Sequence, residues 1–327
     1  MKDKNNFKVL FVYPNLPLML VPPLAVGLFT TILKDIGYEV DLFDTTHYSD
    51  VDSSSPSNRV KYLQAREFSE NNDLGVSINA DMIGDFSKKI EDFEPDLLIF
   101  TAVVEDSFLK AISLLECSEK YNIPHICGGV FPTAAPHRCL SFDAVKVIGI
   151  GEGEKIIVEF AEAIRTGKSI ENIGGVWGKT KDGTIFSNAP QSLVDINKVL
   201  PDFSLFDPIR FQRPMGGKIF STFPFETYRG CPYQCAYCNS PRTRDVANNF
   251  VKIQKEEILA SSKQNEFENI QSNFLRRKTI EKVDSEIDYF VKEYNPEFIY
   301  FIDDSFLARP KKEIFDFCDM YEKYKIP

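Results

Sequence analysis

The sequence predicts an α/β protein in two parts: a doubly wound parallel sheet over the first half, then further strand and helix segments around a cysteine loop. Three observations carry this. Short apolar runs alternate with segments of helical apolar spacing as far as Thr166. Glycine-rich turns follow two of those runs, at the strand ends where open parallel sheets bind ligands. Near the other end, a strand-like run, Thr222 to Gly230, leads straight into "CPYQCAYC", and a later one ends at Asp303-Asp304.

Taken in order, "FKVLFVY" (Phe7 to Tyr13) is an apolar run closed by Pro14, and "PLAVGLFTTILKDIG" (Pro23 to Gly37) has helical spacing and stops at glycine. "YEVDLFD" (Tyr38 to Asp44) alternates as a strand does. "DLLIFTA" (Asp96 to Ala102), "IPHICGG" (Ile123 to Gly129) and "AVKVIGI" (Ala144 to Ile150) are further strands, most of them separated by helices. Right-handed crossovers then give a Rossmann-like parallel sheet covered on both faces. The polar stretch 51–58 and the segment around 69–81 read as surface insertions. "GGVWGKTKDGTIFSN" reads as a hairpin turning at Lys181-Asp182-Gly183, and Asp195 to Gly217 as a linker with little periodicity. The expected division is 1–170, 171–217 and 218–327.

The strand ends supply the ligand candidates of the first part: Tyr13, Pro14 and Asn15; Thr101 and Ala102; Gly128, Gly129 and Thr133; and Gly151, Glu152 and Gly153. Glycines there let backbone approach a large flat ligand, or simply make tight turns; chemistry alone leaves both open. No G-x-G-x-x-G follows the first strand, so a dinucleotide site is not indicated.

With 327 residues, 43% hydrophobic and 26% charged, the chain suits a packed core and two domains better than one. A net charge of −10 opposes nonspecific nucleic-acid or anionic-lipid binding, and Arg276-Arg277-Lys278 reads as a solvated helix face. No apolar run reaches membrane-spanning length and no signal-peptide pattern opens the sequence, so a cytoplasmic location is expected. Seven cysteines then read as thiols and metal ligands rather than a disulfide framework.

Cys231, Cys235 and Cys238 share one short loop. A structural zinc site needs four protein ligands, yet all three histidines (His47, His125, His137) precede residue 138, and beyond Cys238 only the distant Cys318 remains. Three thiolates suit a cubane 4Fe-4S cluster that keeps one iron open to an exogenous ligand.

"RGCPYQCAYC" resembles the cluster loop of the radical S-adenosylmethionine superfamily, and "PPLAVGLFTTILKDIGYEVDLFD", "GGVFPTAAP" and "GIGEGE" resemble, in that order, the corrin-surrounding loops of its cobalamin-dependent members. The resemblance covers nearly the whole chain. It implies that the three cysteines hold the cluster, that S-adenosylmethionine chelates its open iron, that Tyr237 lies along the adenine, and that Asp303 and Asp304 pair with the cosubstrate's ammonium. It implies cobalamin over the strand-end loops, with no histidine on the lower face of cobalt: the D-x-H-x-x-G signature is absent, and Asp44-Thr-Thr-His47 has the wrong spacing. His125 and His137 read as fold residues. Cys117, Cys127 and Cys139 read as small buried side chains, misplaced for the extra cluster of the methylthiotransferases.

The activity implied is methylation of an unactivated carbon, drawing on S-adenosylmethionine, cobalamin and an electron donor such as flavodoxin or ferredoxin, with an unknown small molecule or peptide as substrate. A cyclase or rearrangement enzyme on the same cofactors and a noncatalytic cofactor-binding or electron-transfer protein are the alternatives. The superfamily's partial barrel has about six strands and roughly two hundred residues at typical unit lengths. A sequence stopping at "EKYKIP" is therefore expected to be a fragment, with a long polar insertion, 245–274, after the cysteine loop.

Overall fold

The computed structural model describes residues 2–16, 21–48, 81–215, 218–260 and 274–327. The insertion at 51–58, all of 69–81 but Asp81, and the 261–273 tail of the polar insertion lie outside the described residues.

The first part builds a seven-stranded sheet from β1 (Lys8–Tyr13), β2 (Glu39–Asp44), β3 (Leu97–Thr101), β4 (His125–Gly128), β5 (Val147–Gly149), β6 (Val176–Lys179) and β7 (Ile185–Ser187), in the order β2-β1-β3-β4-β5-β6-β7. β1 to β5 are parallel, and the hairpin β6–β7 continues the sheet antiparallel from β5. The crossovers are α1 (Leu24–Asp35), α2 (Met82–Phe93), α3 (Glu105–Ser118), the short α4 (Val130–Ala134) and α5 (Pro136–Leu140), and α6 (Gly153–Thr166). Strand alternation decides the two cores. Val9 and Phe11 pack with α1 and α6 on one face, while Leu10 and Val12 pack with Phe86 and Phe108 of α2 and α3 on the other. The doubly wound sheet expected from the sequence is what forms.

The second part has a three-stranded sheet, β12-β9-β8, from β8 (Gln212–Met215), β9 (Lys218–Phe225) and β12 (Phe298–Phe301). β9 and β12 are parallel, joined through α7 (Ser240–Ala260) and α8 (Ile280–Tyr294), and α9 (Lys311–Tyr321) follows; β10 (Tyr228–Arg229) and β11 (Arg276–Arg277) form a small antiparallel pair. This is a βα-barrel opening.

The stretch read as a linker is packed. Phe203, Phe206 and Phe211 enter the same apolar cluster as Phe223 and Phe290 of the second part and Phe11 of the first, with Phe211 stacked on Phe223 at 5.3 Å. Arg210 is buried against Asp44 at the end of β2, with 2.6 Å between Nε and Oδ2. Aromatic burial without helical or strand period is invisible to a pattern search, which is why these residues look like a connection in sequence.

Candidate cofactor site

The loops after β3, β4 and β5 are stitched into one layer. Ala102 N donates to Gly128 O and Phe131 N to Ala102 O. Thr133 Oγ1 donates to Gly129 O at 2.9 Å and accepts from Gly151 N at 3.0 Å. Gly129 has φ of +111°, and a Cβ there would fall 2.3 Å from Ala102 O, so only glycine permits this approach. Tyr13, Pro14, Asn15, Thr101, Ala102 and Thr133 are all buried beneath the layer. Asn15 is held by Thr45 Oγ1 and Thr46 Oγ1, both at 2.8 Å from its nitrogens, and burial pushes the Tyr13 phenol up to about 12. What faces outward is Val103 (47% exposed), Val104 and Val130 (44% each). Val103 and Val130 flank the Phe131–Ala102 hydrogen bond, so apolar side chains and glycine backbone share one surface. Val103 and Val130 lie inside the strand-end stretches that the sequence marks, though neither is among the residues singled out as contacts, and Val104 was passed over; the available signal was an apolar pair opening a turn where polar residues are usual.

The cysteine loop leaves the carboxyl end of β9 through Gly230, whose φ is +98° and whose Cβ would meet Phe274 O at 2.6 Å. Cys231 is half-buried and Cys235 and Cys238 are exposed; all three are free thiols. Tyr237 stands 93% exposed on the same loop. Inside the loop Cys238 N donates to Cys235 O, and Ser240 N donates to Cys238 Sγ at 3.4 Å, where α7 begins. No three His, Cys, Asp or Glu side chains among the described residues are gathered into a ready metal-ion group. The donor set still fits the cluster: three exposed or half-exposed sulfurs on one loop, fixed at its base. α7 touches α4, which brings the cysteine loop's own helix against the Gly129 layer.

The base of the loop is gripped by the two aspartates after β12. Asp303 accepts from Thr227 N at 2.6 Å, from Tyr228 N at 3.0 Å, from Thr227 Oγ1 and from Arg309 Nη2 at 3.0 Å; its side chain is 0% exposed. Asp304 is exposed, and its Oδ2 accepts from Gly230 N at 2.8 Å. Asp303 therefore spends its carboxylate on the chain itself, whereas Asp304 keeps a solvent-facing side.

Glu152 turns away from the glycine layer. It accepts from Arg276 through both guanidinium Nη atoms and from Val194 N at 2.8 Å, and meets Arg229 Nη1 at 3.4 Å. The Arg276 and Arg229 cations hold its carboxyl below the usual range despite burial, which pulls the other way. Arg229, two residues before Cys231, also meets Glu154 at 2.7 Å and Glu226 at 2.9 and 3.0 Å. Arg229 was not singled out in sequence, and the reading of Arg276-Arg277-Lys278 as a solvated helix face is overturned: Arg276 and Arg277 form β11, and Arg276 and Lys278 are buried against Glu152 and Glu286. Nothing local marks a partner 77 or 124 residues away.

Of the remaining candidates, His125 Nε2 accepts from Lys146 N at 3.1 Å in place of a ladder carbonyl between β4 and β5, and burial pulls its pKa down to about 4. Cys127 and Cys139 are buried thiols pushed up by desolvation, Cys139 to about 12. A cavity of about 510 Å³ lined by Leu115, His125, Lys146 and Phe160 opens where β4 and β5 begin, at the opposite end of the sheet from these loops.

No protein-family model matches the chain. An uncharacterised methyltransferase of Pyrococcus horikoshii is 26% identical over 242 residues, covering 70% of this chain and 44% of that protein. Among solved structures, the radical S-adenosylmethionine methyltransferase TsrM of Kitasatospora setae, with cobalamin and a [4Fe-4S] cluster bound, matches at TM-score 0.59 and 17% identity over 97% of this chain and 50% of its own. The cobalamin-dependent radical enzyme OxsB, with aqua-cobalamin and S-adenosylmethionine bound, matches at TM-score 0.62 and 16% identity over 98% and 37%. The chain thus spans half or less of the length of the relatives it matches. No helix among the described residues is long and apolar enough to cross a membrane. Over nearly its whole length the chain has the fold of the cobalamin-dependent radical S-adenosylmethionine enzymes.

Proposed function

We propose that this chain binds cobalamin on the glycine–valine layer and a 4Fe-4S cluster on Cys231, Cys235 and Cys238, as part of a radical S-adenosylmethionine enzyme that methylates an unactivated carbon. The observation that carries it is the meeting of two features: a three-cysteine loop at the carboxyl end of β9, and, against its helix, an apolar and glycine-lined layer at the carboxyl ends of the parallel strands. The methyltransferase relatives support the choice of reaction. The division 1–170 for cobalamin, 171–217 for hairpin and connection and 218–327 for the radical core, an electron donor of the flavodoxin or ferredoxin kind, a small-molecule or peptide substrate and a cytoplasmic setting belong to the same reading.

The chain's own residues have definable parts in it. Gly129 and Gly151 bring backbone close to the corrin, and Val103, Val104 and Val130 exclude water from its face. Gly230 and Asp304 fix the start of the cysteine loop. Tyr237 is free to lie along adenine, and Asp304, not Asp303, has a carboxylate side available to the cosubstrate's ammonium. When bound, the cluster supplies the electron that splits S-adenosylmethionine into methionine and a 5'-deoxyadenosyl radical, and the corrin supplies a methyl carrier.

The test is iron and cobalt content after anaerobic reconstitution with iron, sulfide and hydroxocobalamin. About four irons and one cobalt per chain are expected; iron without cobalt refutes the cobalamin half, and neither metal refutes the whole. Given both, deuterated methyl groups from S-adenosylmethionine failing to enter product would favour a cyclase or rearrangement enzyme.

A further inference from the structure

We propose that Glu152 and Arg229 are positioning residues that make the two cofactors bind with mutual reinforcement; this rests on the function proposed above. Glu152 sits on the turn after β5, whose Gly151 amide is tied through Thr133 to Gly129, and Glu154 follows in the first turn of α6. Arg229 sits in the base of the cysteine loop, its neighbours' amides at Tyr228 and Gly230 held by Asp303 and Asp304. One ionic network joins these two points.

It is built from three carboxylates and two guanidinium groups, all at most 18% exposed: Glu152, Glu154, Glu226, Arg229 and Arg276. Arg229 grips Glu226 by two nitrogens and Arg276 grips Glu152 by two nitrogens. Such forked pairs fix orientation more than a single contact can. A buried network of this kind adds little stability over apolar side chains of the same size, but it transmits position, because moving one member unpairs another. The contiguous path is Gly129, Thr133, Gly151, Glu152, Arg229, Cys231. A ligand that orders the glycine layer orders the turn bearing Glu152, and with it the loop base; linkage requires that a cluster on the loop tighten the corrin site by the same factor.

The experiment is a hydroxocobalamin titration, followed by corrin absorbance, of the full chain before and after cluster reconstitution. The cluster-loaded chain is expected to bind about tenfold more tightly. In Glu152→Gln, and in the double variant Glu152→Leu with Arg276→Met, which replaces that one forked pair by apolar groups and leaves Arg229 on Glu154 and Glu226, the ratio is expected to fall toward one while each cofactor still binds. An undiminished ratio in both variants, or a ratio of one in the unaltered chain carrying both cofactors, overturns the proposal. If the unaltered chain takes up no cobalamin at all, the functional reading itself fails and the coupling falls with it.

Discussion

Asp303→Asn tests whether the first aspartate after β12 is a structural clamp. The carboxylate is fully enclosed and accepts two backbone amides, one hydroxyl and Arg309, whose side chain is only 6% exposed. Asparagine keeps the shape but has one acceptor oxygen, so its NH2 must face either the Thr227 and Tyr228 amides or the Arg309 guanidinium. Turned the second way, it leaves a buried cation facing a donor, a loss of about 3–5 kcal/mol when no compensation exists. Arg309 retains Phe306 O at 2.6 Å and Thr227 Oγ1 at 2.7 Å, which puts the expected cost at the lower end, about 3 kcal/mol. Urea unfolding of the apo chain measures it as a shift in midpoint at constant slope. In an Arg309→Met background the same substitution is expected to cost only about 1 kcal/mol, because no cation is then stranded. A loss below about 1 kcal/mol in the unaltered background, or one that Arg309→Met does not reduce, would refute the clamp.

Other outcomes follow from the same geometry. Gly129→Ala is expected to cost at least about 2 kcal/mol in urea unfolding, since its Cβ meets Ala102 O and its φ is left-handed. Replacing Cys235 by Ala is expected to remove most of the reconstituted iron, measured per chain, while changing unfolding free energy by no more than about 0.5 kcal/mol, because the thiol is exposed. His125 accepts from Lys146 N and so must be neutral in the fold. Between about pH 6.5 and about 4 the unfolded chain carries a proton there that the folded chain excludes, so stability falls as pH drops through that window. The loss is at most about 3 kcal/mol, and a His125→Gln variant should lack it in parallel unfolding curves at stepped pH.

Much of this protein is legible in the residue order. Strand and helix periods arise from contacts a few residues apart, so Val9–Val12, Leu97–Thr101 and the apolar faces of α1 and α6 announce the doubly wound sheet directly. The cysteine triplet is equally local, because a loop's ligands lie within a single turn of chain. The roles of the acidic residues are decided elsewhere. Asp303 and Asp304 are neighbours in sequence with opposite surroundings, one sealed by Arg309 and the amides of Thr227 and Tyr228, the other open to solvent. Glu152 reads as a ligand-loop residue until folding brings Arg276 to it from 124 residues away. An isolated carboxylate in sequence carries no mark of which cation will desolvate it. Only the tertiary packing sets that, since charge pairing depends on distance in space and is indifferent to distance along the chain.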